Sequence, residues 1–534
     1  MMKIKNGTAS DDSMRSGRWG GFDERRDMPH SARRMKKVTL VLTAALVAAL
    51  VPAQGEAARK RSMSLTDCVQ EALVRNLDVQ IERINPQISR EELRGSYAGY
   101  DPTFRISGEH RYQLSGGGFD PTIQFNIPPT EGNSDTFSSG ISGGLLPWGT
   151  TYDIGASLTE SVSTFTTNRS DTTRGSAGIT LTQPLLKNFL IDGTRLRISV
   201  AKNRLNYSEM GLRAKIMDVV TSVEKAYYDL IAAQENVKVQ EQALQLAQQL
   251  LSENKKRVEV GTMAPLDEKQ AESQVAGSRA DLLSAQQALS AAENALRSLI
   301  NDNYRDYRGL LIEPAEQLAA PAQQFNVQQS WSKGLAQRPE FLQAKLNAEQ
   351  SELNLKYDRN QMLPDLALTG SYGHGAGGVA VQEFGDGLDD LRTGRNPTYS
   401  YGARLSIPLG NRAARSTYRT SRLALEQVKL SLKKTEEGIL VEIDNNITTA
   451  RVSLERVTAR REARLYSEAA LDAERKKLEN GKSTSFFVLQ LQKDLTGARS
   501  AEIGALADYN KALADLARSE GSTLERRAIN LQIQ

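Results

Sequence analysis

Apolar side chains recur at alternating steps of four and three over Val219, Val223, Ala226, Leu230, Ala233 and Val237, then Leu244, Ala247, Leu251 and Val258, with Gln240 and Asn254 interrupting the stripe. A heptad period of this kind commits a helix to packing on other helices with left-handed supercoiling. The same stripe returns over Leu440, Ile443, Ile447, Ala450, Leu454 and Val457, then degrades around Arg461 and Arg464. From Asp192 to Thr262 there is no interior proline; these roughly 70 residues predict a helix of about 100 Å. Gly261 to Pro265 and Asn480 to Ser485 each end one helix and start another, because glycine suits a C-terminal cap and proline a first turn. They read as hairpin tips. The returning helices, and the helices Ser64 to Ala98 and Trp331 to Gln361 that precede the strands, are each about 35 residues. Two such halves end to end match one long helix.

Elsewhere the period is two. Phe104 and Ile106, Tyr152 and Ile154, and Ala403, Leu405 and Ile407 alternate with small or polar residues, as strands with one lipid face do. The Gly-, Ser- and Asp-rich stretches 114–137, 161–175 and 373–398 read as exposed loops. Trp148, Tyr399 and Tyr401 near strand ends fit an interfacial aromatic belt or ordinary packing equally.

These elements occur twice. Residues 72–110 align without gaps on 334–372, pairing Leu73 with Leu335, Asn85 with Asn347, Pro102 with Pro364 and Gly108 with Gly370. Val223 to Leu296 aligns on Ile443 to Leu516, pairing Gly261 with Gly481 and Arg279 with Arg499. Between the blocks, Gln183-Pro184-Leu185 answers Ile407-Pro408-Leu409. The offsets leave about 38 extra residues among the strands of the first repeat, room for one more hairpin. Each repeat is a helix, a block of strands and two further helices.

Composition narrows the function. Only 6% of the chain is aromatic and 39% hydrophobic, thin for large globular cores and suited to helices that bury narrow stripes. The 68 basic and 64 acidic side chains are interspersed with no basic aromatic face, so nucleic acid is not an expected partner. His30, His110, His374 and Cys68 cannot build a disulfide framework or a Cys/His zinc site, though carboxylate-only metal sites stay open. No triad or ligand spacing surrounds His110 or His374, which argues against an enzyme. The apolar run Val38 to Val51 follows Arg33, Arg34, Lys36 and Lys37 and precedes Pro52, Ala53 and Ala57. Residues 1–53 therefore read as a signal peptide cleaved after Ala53, with Met35 an alternative start. Beyond residue 58 no apolar run approaches about 18 residues, so any membrane crossing must use strands.

The segments SLTDCVQEALVRN (Ser64 to Asn76), QPLL (Gln183 to Leu186) and VGTMAPLD (Val260 to Asp267), in this order and with this duplication, resemble the TolC-type outer-membrane efflux proteins over nearly all of residues 64–520. The resemblance implies an all-α protein with transmembrane β-strands: two internal repeats of long α-helical hairpins plus β-hairpins, trimerising into a β-barrel continued by a periplasmic α-helical barrel. Repeat 1 would span 64–313 (strands about 103–183, tip 260–265) and repeat 2 328–520 (strands about 365–408, tip 480–485), with a tail at 521–534. Three copies with two hairpins each supply 12 strands, and the surplus in repeat 1 raises this to 18; both are even numbers able to close.

The implied function is a passive outer-membrane exit duct of a tripartite efflux or type I secretion system, with no cofactor. Its partners are two further copies, outer-membrane lipid, a periplasmic adaptor and an inner-membrane transporter. The family's acidic gate position falls on Asp267, with Gln270 the next inward residue; repeat 2 departs from the acidic pattern with Phe487 and Gln490. Asp267 also suits the helix dipole at a first turn. The adaptor-docking tips would be Val260, Gly261, Thr262 and Asn480, Gly481, Lys482. Some members are lipoproteins, but Cys68 lies inside SLTDCVQEAL without a lipobox and reads as a buried helix residue. The competing reading is a periplasmic structural or adhesin-like coiled coil without a pore.

Overall fold

The computed structural model describes residues 59–529 apart from 146–147, 166–167, 308 and 378–382, so the signal-peptide expectation and the end of the tail lie outside the described residues. In chain order the elements are β1 (Arg59–Met63), α1 (Leu65–Arg75), α2 (Leu77–Ser96), β2 (Thr103–Ser115), β3 (Gly118–Asp120), β4 (Phe125–Ile127), β5 (Thr130–Leu145), β6 (Thr150–Phe165), β7 (Asn168–Pro184), α3 (Gly193–Glu259) and α4 (Pro265–Ile300). The second repeat follows with β8 (Leu310–Pro314), α5 (Val327–Gln337), α6 (Pro339–Gln361), β9 (Asp365–Ala376), α7 (Phe384–Thr393), β10 (Asn396–Ser406), α8 (Arg412–Glu479), α9 (Ser485–Ser519) and α10 (Thr523–Arg526).

The long helices form where the heptads predict them, over 67 residues in α3 and 68 in α8. The helices before the strands are not continuous, in contrast to the sequence expectation. Asn76 is extended (φ −60°, ψ 124°) and caps α2, its Oδ1 accepting from Val79 N at 3.2 Å while its Nδ2 donates to the Leu299 carbonyl at 2.9 Å. Arg338 is extended at the equivalent place because Pro339 opens α6 and bars the α conformation from the residue before it. Two different residue types thus break both repeats at the same position.

In each half of the helical layer four helices stand side by side. α3 and α8 run through both halves; α4 and α9 neighbour them toward the tips, and α2 and α6 toward the strands. α9 and α6 both lie between α3 and α8, so the two composite helices are assembled as expected. The largest core gathers Leu65, Val69, Ile216, Val223, Tyr227, Leu230 and Ile300 beside the parallel pair β1–β8, with Tyr227 donating to the Met63 carbonyl at 3.1 Å. Cys68 is fully buried in this core, where burial pushes its thiol up to about 12.

Six of the strands form one sheet in the order β10-β9-β7-β6-β5-β2, every neighbour antiparallel, and β3 pairs with β4 apart from it. Repeat 1 supplies four of these strands and repeat 2 two, so the surplus segment is an added hairpin. The loops expected at 114–137 and 161–175 are largely strand: β5 starts at Thr130, and β6 and β7 run out to Phe165 and Asn168. Within them, residues 130–136 and 168–174 are polar on both faces and carry no apolar alternation. Cross-strand pairing such as Ser161 with Thr172 holds them, with hydroxyl contacts such as Thr136 to Thr159 at 3.1 Å.

Candidate pore wall and closing tips

Residues directly opposed across a sheet share a face, so the register sorts the sheet into two chemistries. One face carries an unbroken row of large apolar residues across all six strands: Phe104, Ile141, Ile154, Ile179, Tyr372 and Tyr399. Ile106, Leu181, Leu366, Leu368, Tyr401 and Leu405 extend it, all exposed except the half-buried Leu366. The band is interrupted by the polar row His110, Asp135, Glu160 and Thr173, where His110 Nδ1 lies 2.6 Å from Asp135 Oδ1, and beyond it the face is mostly polar, with Tyr112, Leu114 and Val162 its apolar residues. His374 packs edge-on to Tyr372, its ring centroid 5.5 Å away.

The opposite face is hydroxyl and glycine. Ser107, Ser138, Ser157 and Ser176 form one cross-strand row, with Oγ contacts of 2.7 Å at the first pair and 3.2 Å at the last. The neighbouring row is Arg105, Gly140, Gly155, Gly178, Gly373 and Thr398, the floor of a depression of about 510 Å³. Its glycines are a steric requirement: a Cβ on Gly178 would sit 2.6 Å from the Tyr372 carbonyl oxygen, and one on Gly373 would sit 2.4 Å from that of Ala177.

The two hairpin tips are built alike. Thr262 N donates to the Arg257 carbonyl at 2.8 Å and Gly261 N to that of Val258 at 3.0 Å; Lys482 and Gly481 repeat the pattern on Lys477 (2.8 Å) and Leu478 (3.1 Å). This is the Schellman closure, and it needs the left-handed φ of +76° at Gly261 and +68° at Gly481. Val260, Leu266, Phe486 and Phe487 are exposed around the turns, and Phe486 and Phe487 meet edge to face at 5.7 Å.

Asp267 stands in the first turn of α4, whose N-cap Ala264 has no side chain to cap with, so its carboxylate faces the positive helix end. Gln270 lies one turn on and is half-buried, and Gln490 is exposed with Asp494 Oδ1 3.1 Å from its Nε2. Beside the apolar cluster of Leu250 with Leu471, Val488 and Leu489, the two hairpins are tied near their tips by Asn254, which in the sequence is only a flaw in a stripe. It is 1% exposed and donates to Ser485 Oγ of the other hairpin at 3.2 Å and to the Asp267 carbonyl at 3.4 Å.

The other interruptions have the same character. Gln240 Nε2 reaches Ser500 Oγ at 3.3 Å, and Ser500 reaches Asn236 Oδ1 at 2.7 Å. The degraded stripe at Arg461 and Arg464 is an ion-pair cluster. Both arginines meet Glu502 of α9, Arg464 also meets Glu468 (3.1 Å), and Arg499 spans Glu468 (2.9 Å) and Gln242 of α3 (3.4 Å). A polar residue in a heptad stripe was the available signal, but only the partner reveals its use.

Among the described residues no helix is long and apolar enough to cross a membrane, and no group of three or more His, Cys, Asp or Glu is placed to hold a metal ion.

Residues 148–302 and 331–522 match the family model described as outer membrane efflux protein. Outer membrane protein TolC of Vibrio cholerae is 24% identical over 361 residues, covering 67% of this chain and 78% of that protein. Outer membrane efflux protein BepC of Brucella suis is 24% identical over 342 residues, 63% and 70% of the two chains. Among solved structures, the CmeC outer membrane channel of Campylobacter jejuni superposes with a TM-score of 0.61 at 15% identity, covering 86% of each chain.

Proposed function

The chain belongs to the outer membrane efflux protein family and resides in the outer membrane with a periplasmic extension, and on that premise we propose that three copies join edge to edge into one barrel, a passive exit duct of a tripartite efflux or type I secretion system. The observation that carries this reading is the six-stranded sheet with two free edges, β2 and β10, exposed at every residue. A lone sheet of this size is below the roughly eight strands a barrel needs, and open edges invite pairing. β10 and β2 run in opposite directions, so edge-to-edge addition keeps the ladder antiparallel, and three times six strands gives 18. The repeat alignment pairs β2 with β9 and the Pro184 end of β7 with Pro408, so the added hairpin is β5–β6.

The apolar face suits lipid. From Leu366 to Ala376, at about 3.3 Å per residue and a tilt of about 40°, it spans about 25 Å, the height of an outer-membrane apolar band. The hydroxyl face then lines the lumen with Arg105, Arg111, Arg174 and Arg404 set against Glu109, Asp153 and Asp365, a wetted wall of mixed charge. The free flanks of the helical layer carry exposed apolar stripes, Ile81, Ile84 and Ile88 on α2 and Leu423 and Leu430 on α8, which supports a second seam between copies.

At the tips, Asp267 and Gln270 with Phe487 and Gln490 form the gate. Single-channel recording of the full-length protein in planar bilayers tests duct and gate together. Asp267→Ala raises the open probability and weakens cation preference; Phe487→Ala widens the closed constriction with little change in ion selectivity. Absent conductance would favour the non-pore coiled coil, and an Asp267→Ala channel identical to wild type would leave the aspartate as a dipole partner alone.

The tips also dock the adaptor through which an inner-membrane transporter delivers cargo. β-branched residues at Gly261 or Gly481 would strain the left-handed turn itself, so exposed neighbours make the cleaner test. Val260→Asp combined with Lys482→Glu is expected to lower export about tenfold, some 1.4 kcal/mol of adaptor affinity, with trimers and bilayer conductance unchanged. Wild-type export would remove these tips from the interface.

A further inference from the structure

We infer that α7, the short helix between β9 and β10, is an outer-leaflet anchor that lies on the outside of the barrel and inserts Phe384 and Leu388 among lipid acyl chains. The inference rests on the barrel proposed above. The starting observation is which face of the sheet the helix covers. A Cβ at buried Gly387 would meet Thr173 Cγ2 at 2.7 Å and Leu158 Cδ1 at 2.8 Å, and Leu391 Cδ1 lies 3.3 Å from the Cβ position of Gly175. Leu158, Thr173 and Gly175 all belong to the apolar face. The helix therefore packs outside the wall.

Its level is equally specific. Gly108, Phe137, Leu158, Gly175 and Ala376 form the last apolar row before the polar row of His110, Asp135, Glu160 and Thr173. That last row has little bulk at Gly175 and Ala376, and α7 fills the gap, leaving Leu158 and Ala376 buried. The helix thus sits where acyl chains give way to headgroups.

Its own pattern matches that boundary. Phe384, Leu388 and Leu391 recur at i, i+4 and i+7, while Asp386, Asp389, Asp390 and Arg392 take the remaining directions. Of the apolar stripe Leu391 reaches the sheet at Gly175, while Phe384 is 37% and Leu388 56% exposed. Amphipathic helices with this division lie in the interface plane with the apolar side sunk among the chains. A protein partner fits less well. α7 covers β6, β7 and β9, the middle of the sheet, and copies meet at the edges β2 and β10. The surface around it is continuous with the lipid-facing band.

Spin labels on single engineered cysteines read this depth, because native Cys68 is buried with its thiol pushed up to about 12 and does not compete for the label. Phe384→Cys, Leu388→Cys, Asp389→Cys and, as a mid-band control, Ile154→Cys are each labelled in the full-length trimer in phosphatidylethanolamine–phosphatidylglycerol vesicles. Labels at 384, 388 and 154 are expected to collide with dissolved oxygen about threefold more than with a water-soluble nickel chelate, and the label at 389 to show the reverse. Gly387→Leu, which lifts the helix from Thr173 and Leu158, should turn position 388 to water while trimers persist. If 384 and 388 are as nickel-accessible as 389 while 154 remains in lipid, the anchor is wrong and the barrel stands. If 154 too is in water, the barrel itself is wrong.

Discussion

Gly178→Val or Gly373→Val is expected to reduce heat-stable trimers in the outer membrane to background, while Gly370→Ala and Gly402→Ala leave them near wild type. All four glycines are in strands, but their surroundings differ. Positions 370 and 402 have nothing within 4 Å of an added Cβ, whereas at 178 and 373 the Cβ would lie 2.6 Å and 2.4 Å from a carbonyl oxygen of the facing strand. Backbone cannot rotate aside as a side chain can. Overpacking of this kind costs about 1–3 kcal/mol or more at each site, and the proposed barrel would repeat it in every copy. The two residues face each other in the β7–β9 pairing, the ladder that joins the strands of repeat 1 to those of repeat 2. Unheated and heated electrophoresis of the membrane fraction reads the outcome; wild-type trimer levels in Gly178→Val would show that the close approach is not needed.

Asn254→Leu separates what the heptad pattern predicts from what the packing predicts. The pattern favours the change, since leucine mends the apolar stripe between Leu251 and Val258. The structure predicts the opposite. Ser485 Oγ, on a residue with no exposed surface, would lose the amide that reaches it at 3.2 Å. A buried polar group left without its partner costs about 1–3 kcal/mol, and here the loss falls on a polar tie between the two tips. Lower melting of the trimer and longer open times are expected. Adding Ser485→Ala should recover most of the stability, because two apolar partners leave nothing unpaired. A higher melting temperature in Asn254→Leu, with unchanged closed current, would mean that the tie does not hold the tips.

Local periodicity accounts for what could be read before folding. The stripe from Val219 to Val258 sets α3, the glycines at 261 and 481 set turns that only a left-handed φ closes, and the offset between Leu73 and Leu335 sets the two repeats. The alternation at Phe104, Ile106, Tyr152 and Ile154 marks strands wherever one face is apolar. It is silent at 130–136 and 168–174, where both faces are polar, so the full reach of β5 and β7, and of β6 between them, had to come from pairing. The break at Asn76 was hidden because asparagine is not a strong helix breaker and ends α1 here with its side chain bonded to the distant Leu299 carbonyl, whereas the break at Arg338 is written locally in the proline that follows it.

The polar residues within the stripes are the sharpest case. Gln240, Asn254, Arg461 and Arg464 look like defects when each helix is read alone, since a period reports only which side of a helix is buried. Their partners lie in the other hairpin for Gln240 and Asn254, and in the returning helix for the two arginines. Which side chain faces which depends on the axial register between helices far apart in sequence. That register is set by the whole layer closing, and no local window of the chain contains it. The position of α7 follows the same rule: ten amphipathic residues mark a surface helix, but only the register of β6 on β7 leaves the notch at Gly175 into which Leu391 fits.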